Sequence, residues 1–289
     1  MSAEVKLQPD SQASGGVLVV DDDTPLRELY ASLLESDGLD VVRCSSGGDA
    51  IQHLAHRAFD LVVLDLWMPD ISGLEVLTHF RGASKDAKFI IMTADSTPEN
   101  LVRALREQAY QYIHKPITSQ DFLDTVRTTI AAPPPQPIEI ISAKPDWLEF
   151  IISCQPEEVQ RLGSFMQYLQ GDLDSELSDS LAQAFQELML NAVEWGGQLD
   201  ANRKVRIAFI RTKRMLQYRI SDPGEGFRFQ GLSHAAVSNP AGNPVEHAKV
   251  REEKGMRAGG LGLLMVRSIA DELLFNEAQN EVLFVKYLN

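Results

Sequence analysis

Cysteine is nearly absent from this chain of 289 residues, with Cys44 and Cys154 as its whole supply. Two thiols so far apart suit neither a disulfide framework nor a zinc site, and they read as buried free thiols. Long apolar runs are missing too. None approaches the roughly 20 residues of a membrane span, and the first residues do not read as a signal peptide. Positive charge is in short supply: 27 Lys and Arg stand against 41 Asp and Glu, for a formal net charge of −14. That balance argues against nonspecific binding to nucleic acid or to anionic lipid. The expectation is a cytoplasmic protein with no membrane contact and no direct nucleic acid binding.

The length suggests two domains. Residues 1–15 are polar and aperiodic and are expected to be a loose tail. From residue 16 to 132, buried strands alternate with helices. The strands are Val17–Val20, the pair Val41-Val42, Leu61–Leu64, Phe89–Met92 and Tyr110–Ile113. Helices are expected after each, with Thr24-Pro25, Thr97-Pro98 and Ser119 at their starts. This pattern predicts an α/β domain with a five-stranded parallel sheet covered on both faces.

Ligands of such sheets gather at the carboxyl ends of the strands. Those ends hold Asp21, Asp22, Asp65, Thr93 and Lys115. Crowded carboxylates favour a divalent cation, and few protein oxygens suit Mg²⁺. A nearby lysine can hold a phosphoryl oxygen. With Asp65-Leu-Trp-Met-Pro69, Gly73, Met92-Thr93-Ala94 and Lys115-Pro116, the segment resembles a response-regulator receiver domain of flavodoxin-like fold. The resemblance implies that Asp65 is the phospho-acceptor and a metal ligand, with Asp22 and Asp21 helping to hold Mg²⁺. It makes Thr93 and Lys115 the phosphoryl-sensing pair and Tyr112 the switch aromatic. Gln108 departs from the glycine often found there in the family.

Residues 133–138 are a proline-rich linker, semi-rigid and extended, spanning some 20 Å at about 3.1 Å per residue. Residues 139–289 read as an α+β sandwich with a mostly antiparallel sheet against helices. Trp147–Ser153, Val205–Ile210, Leu216–Ile220, Leu273–Phe275 and Val282–Tyr287 look like strands. Pro156–Leu169, Leu177–Trp195 and Leu261–Ala270 look like helices. The long stretch 228–258, rich in Gly, Pro and Asn, reads as a lid or binding loop that carries Lys249, Arg251, Lys254 and Arg257.

Glu187 and Asn191 stand four residues apart and share one helical face, with Leu188, Leu190 and Val193 toward a core. Taken alone, such a pair is usually a solvated surface pair. Two later stretches change that reading. Asp222 follows a strand, where it can accept from an exocyclic amine such as that of adenine, and Gly224 and Gly226 let backbone approach a flat base. Gly259, Gly260 and Gly262 open a helix whose free amides suit phosphates. Asn191 can ligate a Mg²⁺ that bridges those phosphates.

The ordered set ExxxN, DxGxG and GGxG resembles the GHKL (Bergerat-fold) ATPase superfamily, and within it the anti-sigma-factor type of serine/threonine kinase. The resemblance implies ATP and Mg²⁺ as cofactors. It makes Asn191 a metal ligand, places Asp222 at adenine, and lines the nucleotide with Gly224, Gly226, Gly260 and Gly262. Glu187 becomes the general base. Trp195 stands where these kinases commonly have histidine, and Asn280-Glu281 replaces a threonine frequent near the last strand.

A histidine-kinase reading is disfavoured, because no histidine lies between the linker and Glu187. His53, His56, His79, His114, His234 and His247 read as surface or loop residues. The functional expectation is a response regulator whose Asp65 phosphorylation gates an ATP-dependent serine/threonine kinase. An upstream sensor histidine kinase and a downstream anti-sigma antagonist or sigma-like protein are the implied partners. The alternatives are an ATP-dependent binding module without transferase activity, and passage of the signal through a separate phosphotransfer protein. A homodimer is compatible with the resemblance, although no interface stripe stands out.

Overall fold

Short apolar runs flanked by acidic or turn residues build the first sheet. A computed structural model describes residues 16–80, 87–95, 97–226, 249, 253 and 261–288. The chain divides into two compact units by internal contacts, one with residues up to Met92 together with Ile117–Ala131, the other with Thr93–Pro116 and Ala132 onward. The expected N-terminal tail, most of the lid, Gly259, Gly260, His234 and His247 lie outside the described residues.

The elements begin β1 (Val17–Val20), α1 (Thr24–Ser36), β2 (Val41–Cys44), α2 (Gly47–His56), β3 (Leu61–Asp65) and α3 (Gly73–Phe80). They continue β4 (Lys88–Thr93), α4 (Pro98–Arg106), β5 (Gln111–His114) and α5 (Ser119–Ala131). The sheet order is β2-β1-β3-β4-β5. β1 pairs in parallel with β2 and β3, and β3 with β4 in a register that sets Asp65 beside Met92. β1, β3 and β4 are buried along their whole length, as strands covered on both faces must be.

Two helix starts differ from expectation. Asp23, not Thr24, caps α1, because its carboxylate accepts from Leu26 N at 3.1 Å while Thr24 and Pro25 enter the first turn. Likewise Thr118, one residue before Ser119, turns its hydroxyl to Asp121 N at 3.1 Å at the start of α5. At the other end of α5 the buried Lys88 ammonium donates to the Thr129 and Ile130 carbonyls at 2.7 and 3.1 Å. A cation there satisfies carbonyls that the helix leaves unpaired and opposes the helix dipole.

A strand not anticipated from the sequence, β6 (Glu139–Lys144), pairs antiparallel with β7 (Trp147–Ser153). Then come α6 (Pro156–Tyr168) and α7 (Ser175–Asn191), a π-helical turn (Ala192–Gly196), β8 (Lys204–Arg211) and β9 (Met215–Ser221). The chain closes with α8 (Gly262–Ile269), β10 (Glu272–Phe275) and β11 (Glu281–Tyr287). This sheet has the order β10-β11-β9-β8-β7-β6, with every recorded pairing antiparallel.

Strict alternation sorts its two faces. Val205, Ile207, Phe209, Leu216, Tyr218, Ile220 and Phe284 are buried in the core, while Arg206 and Arg219 are exposed and paired with Glu149 and Glu281. α6 packs on α7, and α7 packs on α8. The five-stranded α/β part is therefore followed by an antiparallel α+β part, as expected.

Both thiols are free and buried, and burial pushes Cys44 up to about 11 and Cys154 upward as well, so neither is a ready nucleophile. Among the described residues no helix is long and apolar enough to cross a membrane.

Candidate functional site

Asp21 follows β1 and is buried, and its Oδ1 accepts from Asp23 N at 2.9 Å. Asp22, between them, is exposed. Asp65 ends β3 with its side chain nearly buried and Oδ2 accepting from Trp67 N at 2.7 Å. Thr93 ends β4, fully buried, with Oγ1 accepting from Asp95 N at 3.0 Å. Lys115 directly follows β5, and its amide donates to Thr93 O at 2.7 Å. All five residues therefore sit at carboxyl ends of strands in one sheet.

Among the described residues, no three His, Cys, Asp or Glu side chains converge as a metal cluster. The donor chemistry still suits Mg²⁺, which needs only one or two carboxylates and otherwise keeps its waters. Tyr112 is buried, with its hydroxyl donating to Asp95 O at 2.8 Å; burial holds its phenol well above the ordinary value.

The second site forms where α7 ends. Leu188, Met189 and Val193 enter the core, whereas Leu190 is only half-buried. The wider π turn, in which Gly197 N reaches back to Ala192 O at 2.8 Å, rotates the following residues off the α-helical face. It places Trp195, half-exposed, and Gly196 at a cavity of about 510 Å³. Asn191, Asp222, Gly224, Gly226, Arg203 and Asn280 line the same cavity.

Asp222 is fixed on all sides. Its amide donates to Asn280 O at 2.9 Å, and its Oδ1 accepts from Gly224 N at 2.8 Å. A Cβ on Gly196 would come within 2.1 Å of that oxygen, so only glycine permits the approach. Burial raises the Asp222 carboxyl above the usual range, opposed by the Gly224 amide and by Arg203. Gly226 adopts φ +82°, and a Cβ there would meet Ala278 O at 1.6 Å.

Two lining residues were given no role from the sequence, and Arg203 carried no signal there at all. Asn280 donates to Gly224 O at 3.0 Å and thereby ties the DxGxG turn to β11. Arg203 donates to Pro223 O at 2.5 Å from the loop before β8. The Asn-for-Thr departure noted near the last strand is thus a residue that shapes the Asp222 turn. Glu187 reaches α8, where its carboxylate packs on Gly262. Gly260 and the lid cations Arg251, Lys254 and Arg257 lie outside the described residues, and Lys249 is exposed.

A family model of the response regulator receiver domain matches residues 17–127, and one of the histidine kinase-like ATPase domain matches residues 152–286. The luminescence regulatory protein LuxO of Vibrio campbellii is 34% identical over 112 residues, 39% of this chain and 25% of LuxO. The chain therefore spans about a quarter of that relative's length. The DNA-binding response regulator MtrA of Mycobacterium leprae is 27% identical over 223 residues, 76% of this chain and 97% of MtrA. A CheY-like receiver domain protein from Methanospirillum hungatei shares 28% identity at a TM-score of 0.40, over 41% of this chain and 94% of that one. The chain carries, in order, a response regulator receiver domain and a histidine kinase-like ATPase domain.

Proposed function

We propose that this protein is a response regulator whose Asp65 phosphorylation gates an ATP-dependent serine/threonine protein kinase of the partner-switching type. The observation that carries the reading is the convergence of α7 and the Asp222 turn on one cavity, with Glu187 of α7 packed against Gly262 at the start of α8. Asp222, held as an acceptor, suits the adenine amino group. The amides that open α8 have no side-chain cap and suit the phosphates. Asn191 offers an amide oxygen to Mg²⁺, which when bound would neutralise phosphate charge.

In the reaction, a serine or threonine hydroxyl of the partner attacks the γ-phosphorus. The bond from that phosphorus to the β–γ bridging oxygen breaks, and ADP leaves. Glu187 takes the hydroxyl proton. On the receiver side, a sensor histidine kinase transfers its phosphoryl group to Asp65, Thr93 and Lys115 engage the new oxygens, and Tyr112 follows Thr93. The relatives LuxO and MtrA are named as regulators, which supports two-component signalling upstream. Downstream, the reading calls for a small anti-sigma antagonist or a sigma-like protein.

The second reading, an ATP-dependent binding module without transfer, is favoured by Trp195 at the position where kinases of this type commonly carry histidine. One experiment separates them. Mg·ATP is titrated calorimetrically into the full chain, and γ-labelled ATP is then supplied with cell extract. Acid-stable label on a protein that vanishes with Glu187→Ala supports the kinase. ATP binding without any label on protein leaves the binding module, and absence of ATP binding overturns both.

A further inference from the structure

Gln108 sits in the left-handed region at φ +63°, where a glycine would sit without strain. Its side chain shows why glutamine is there. Nε2 donates to Ile138 O at 3.0 Å, and Oε1 accepts from Ile138 N at 2.9 Å. This two-way clasp joins the turn before β5 to the segment entering β6. The backbone of the same turn is gripped by Arg161 of α6, which is 1% exposed. Arg161 donates to Gln108 O and Ala109 O, both at 3.2 Å, and to Gln136 O at 3.0 Å.

Glu158 completes the group, pairing with Arg161 at 3.3 Å and accepting from Gln136 N at 3.0 Å. A buried guanidinium is tolerated only when paired and hydrogen-bonded in this way. Two further contacts lie along β5. Tyr168 of α6 meets the Tyr112 ring edge-on, with centroids 5.5 Å apart, and its hydroxyl accepts from His114 N at 3.0 Å. Arg106 of α4 donates to Ala143 O on β6 at 2.6 Å. All these residues belong to the second compact unit, which also holds the cavity lined by Asn191 and Asp222.

We propose that the Gln108–Ile138 clasp and Arg161 make the α4–β5 segment and α6 a single regulatory element, which conveys the state of Asp65 to Asn191 within one chain. The inference rests on the ATP reading above and adds the route. Thr93 and Tyr112 lie at the receiver end of this element, while α6 packs on α7, whose last residue is Asn191. The amide of β5 at His114 and the turn carbonyls at Gln108 and Ala109 are engaged by α6.

The test titrates Mg·ATP into the full chain, with and without beryllofluoride on Asp65, for wild type, Gln108→Gly and Tyr168→Phe. Gln108→Gly keeps the turn conformation and deletes only the clasp, and Tyr168→Phe deletes one hydroxyl. In wild type the two affinities should differ by about ten-fold, within the usual range of coupling between sites. In both variants that ratio should move toward one, while affinity without beryllofluoride stays within about two-fold of wild type. Hydrogen exchange should show α6 responding to beryllofluoride in wild type and not in Gln108→Gly. A wild-type ratio of one, or variants that keep the wild-type ratio, overturns the route and leaves the ATP reading intact. No ATP binding in either state overturns that reading, and the route with it.

Discussion

The Glu187 carboxylate lies against Gly262, so closely that a Cβ on Gly262 would stand 2.0 Å from Oε2 and 2.8 Å from Cδ. The proposed base and the first residue of α8 therefore constrain each other. Gly262→Ala must push the carboxylate aside or shift the helix. Phosphoryl transfer should fall by about 10²-fold, the low end of what a displaced general base costs, with the far-UV circular dichroism unchanged. Transfer at the wild-type rate would remove Glu187 from the reaction.

Asp222 predicts a pH dependence. Its folded-state carboxyl lies above the unfolded value because it is buried, so the folded protein holds this proton more tightly. Its ionisation therefore lowers stability as pH rises through the acid range, and the cost persists at neutral pH. The ionised form is, however, the stronger acceptor for an amino group. ATP affinity should accordingly weaken on acidification sooner than an ordinary aspartate would require. Asp222→Asn should lose about 1–3 kcal/mol of ATP binding and this part of the pH dependence, while stability at neutral pH holds or rises. Titration calorimetry and thermal melts at several pH values read both.

Trp195 presents a half-exposed indole to the cavity that Asp222 lines. Removing an aromatic face from a bound base costs about 1–3 kcal/mol. Trp195→Ala should weaken ATP by roughly ten-fold or more, and Trp195→Phe should recover most of the loss. Equal affinities for wild type and Trp195→Ala would place the base elsewhere.

Asp65→Asn should abolish labelling by acetyl phosphate, because no carboxylate oxygen remains to attack phosphorus. Thr93→Val removes the hydroxyl that receives Asp95 N but keeps the volume. It should still be labelled, yet should not pass the change on to ATP affinity. Phosphate gels and the calorimetric ratio measure the two effects.

Much of this was legible along the chain. The apolar runs that become β1, β3 and β4 are buried on both sides, so their pattern needs no partner to be read. Asp65 closes such a run, whereas Asp222 follows β9, a strand legible by its alternation. β6 escaped notice because half of its residues are exposed and only Ala143 is buried. Leu190 failed because the buried positions of α7, Leu181, Ala184, Phe185, Leu188 and Met189, keep a regular helical spacing that Leu190 does not share.

The linear order of residues was enough to specify which segments are strands or helices and which acidic and amide groups stand at their ends. Those properties follow from side-chain period, caps and turns within a few residues. Folding in three dimensions supplied the rest: Gly196 beneath Asp222, Asn280 tied to Gly224, Gln108 clasping Ile138 and Arg161 closing on Ala109. Each joins residues distant along the chain. Such pairs are selected by close packing and by the need to satisfy buried polar groups, and no local pattern encodes either.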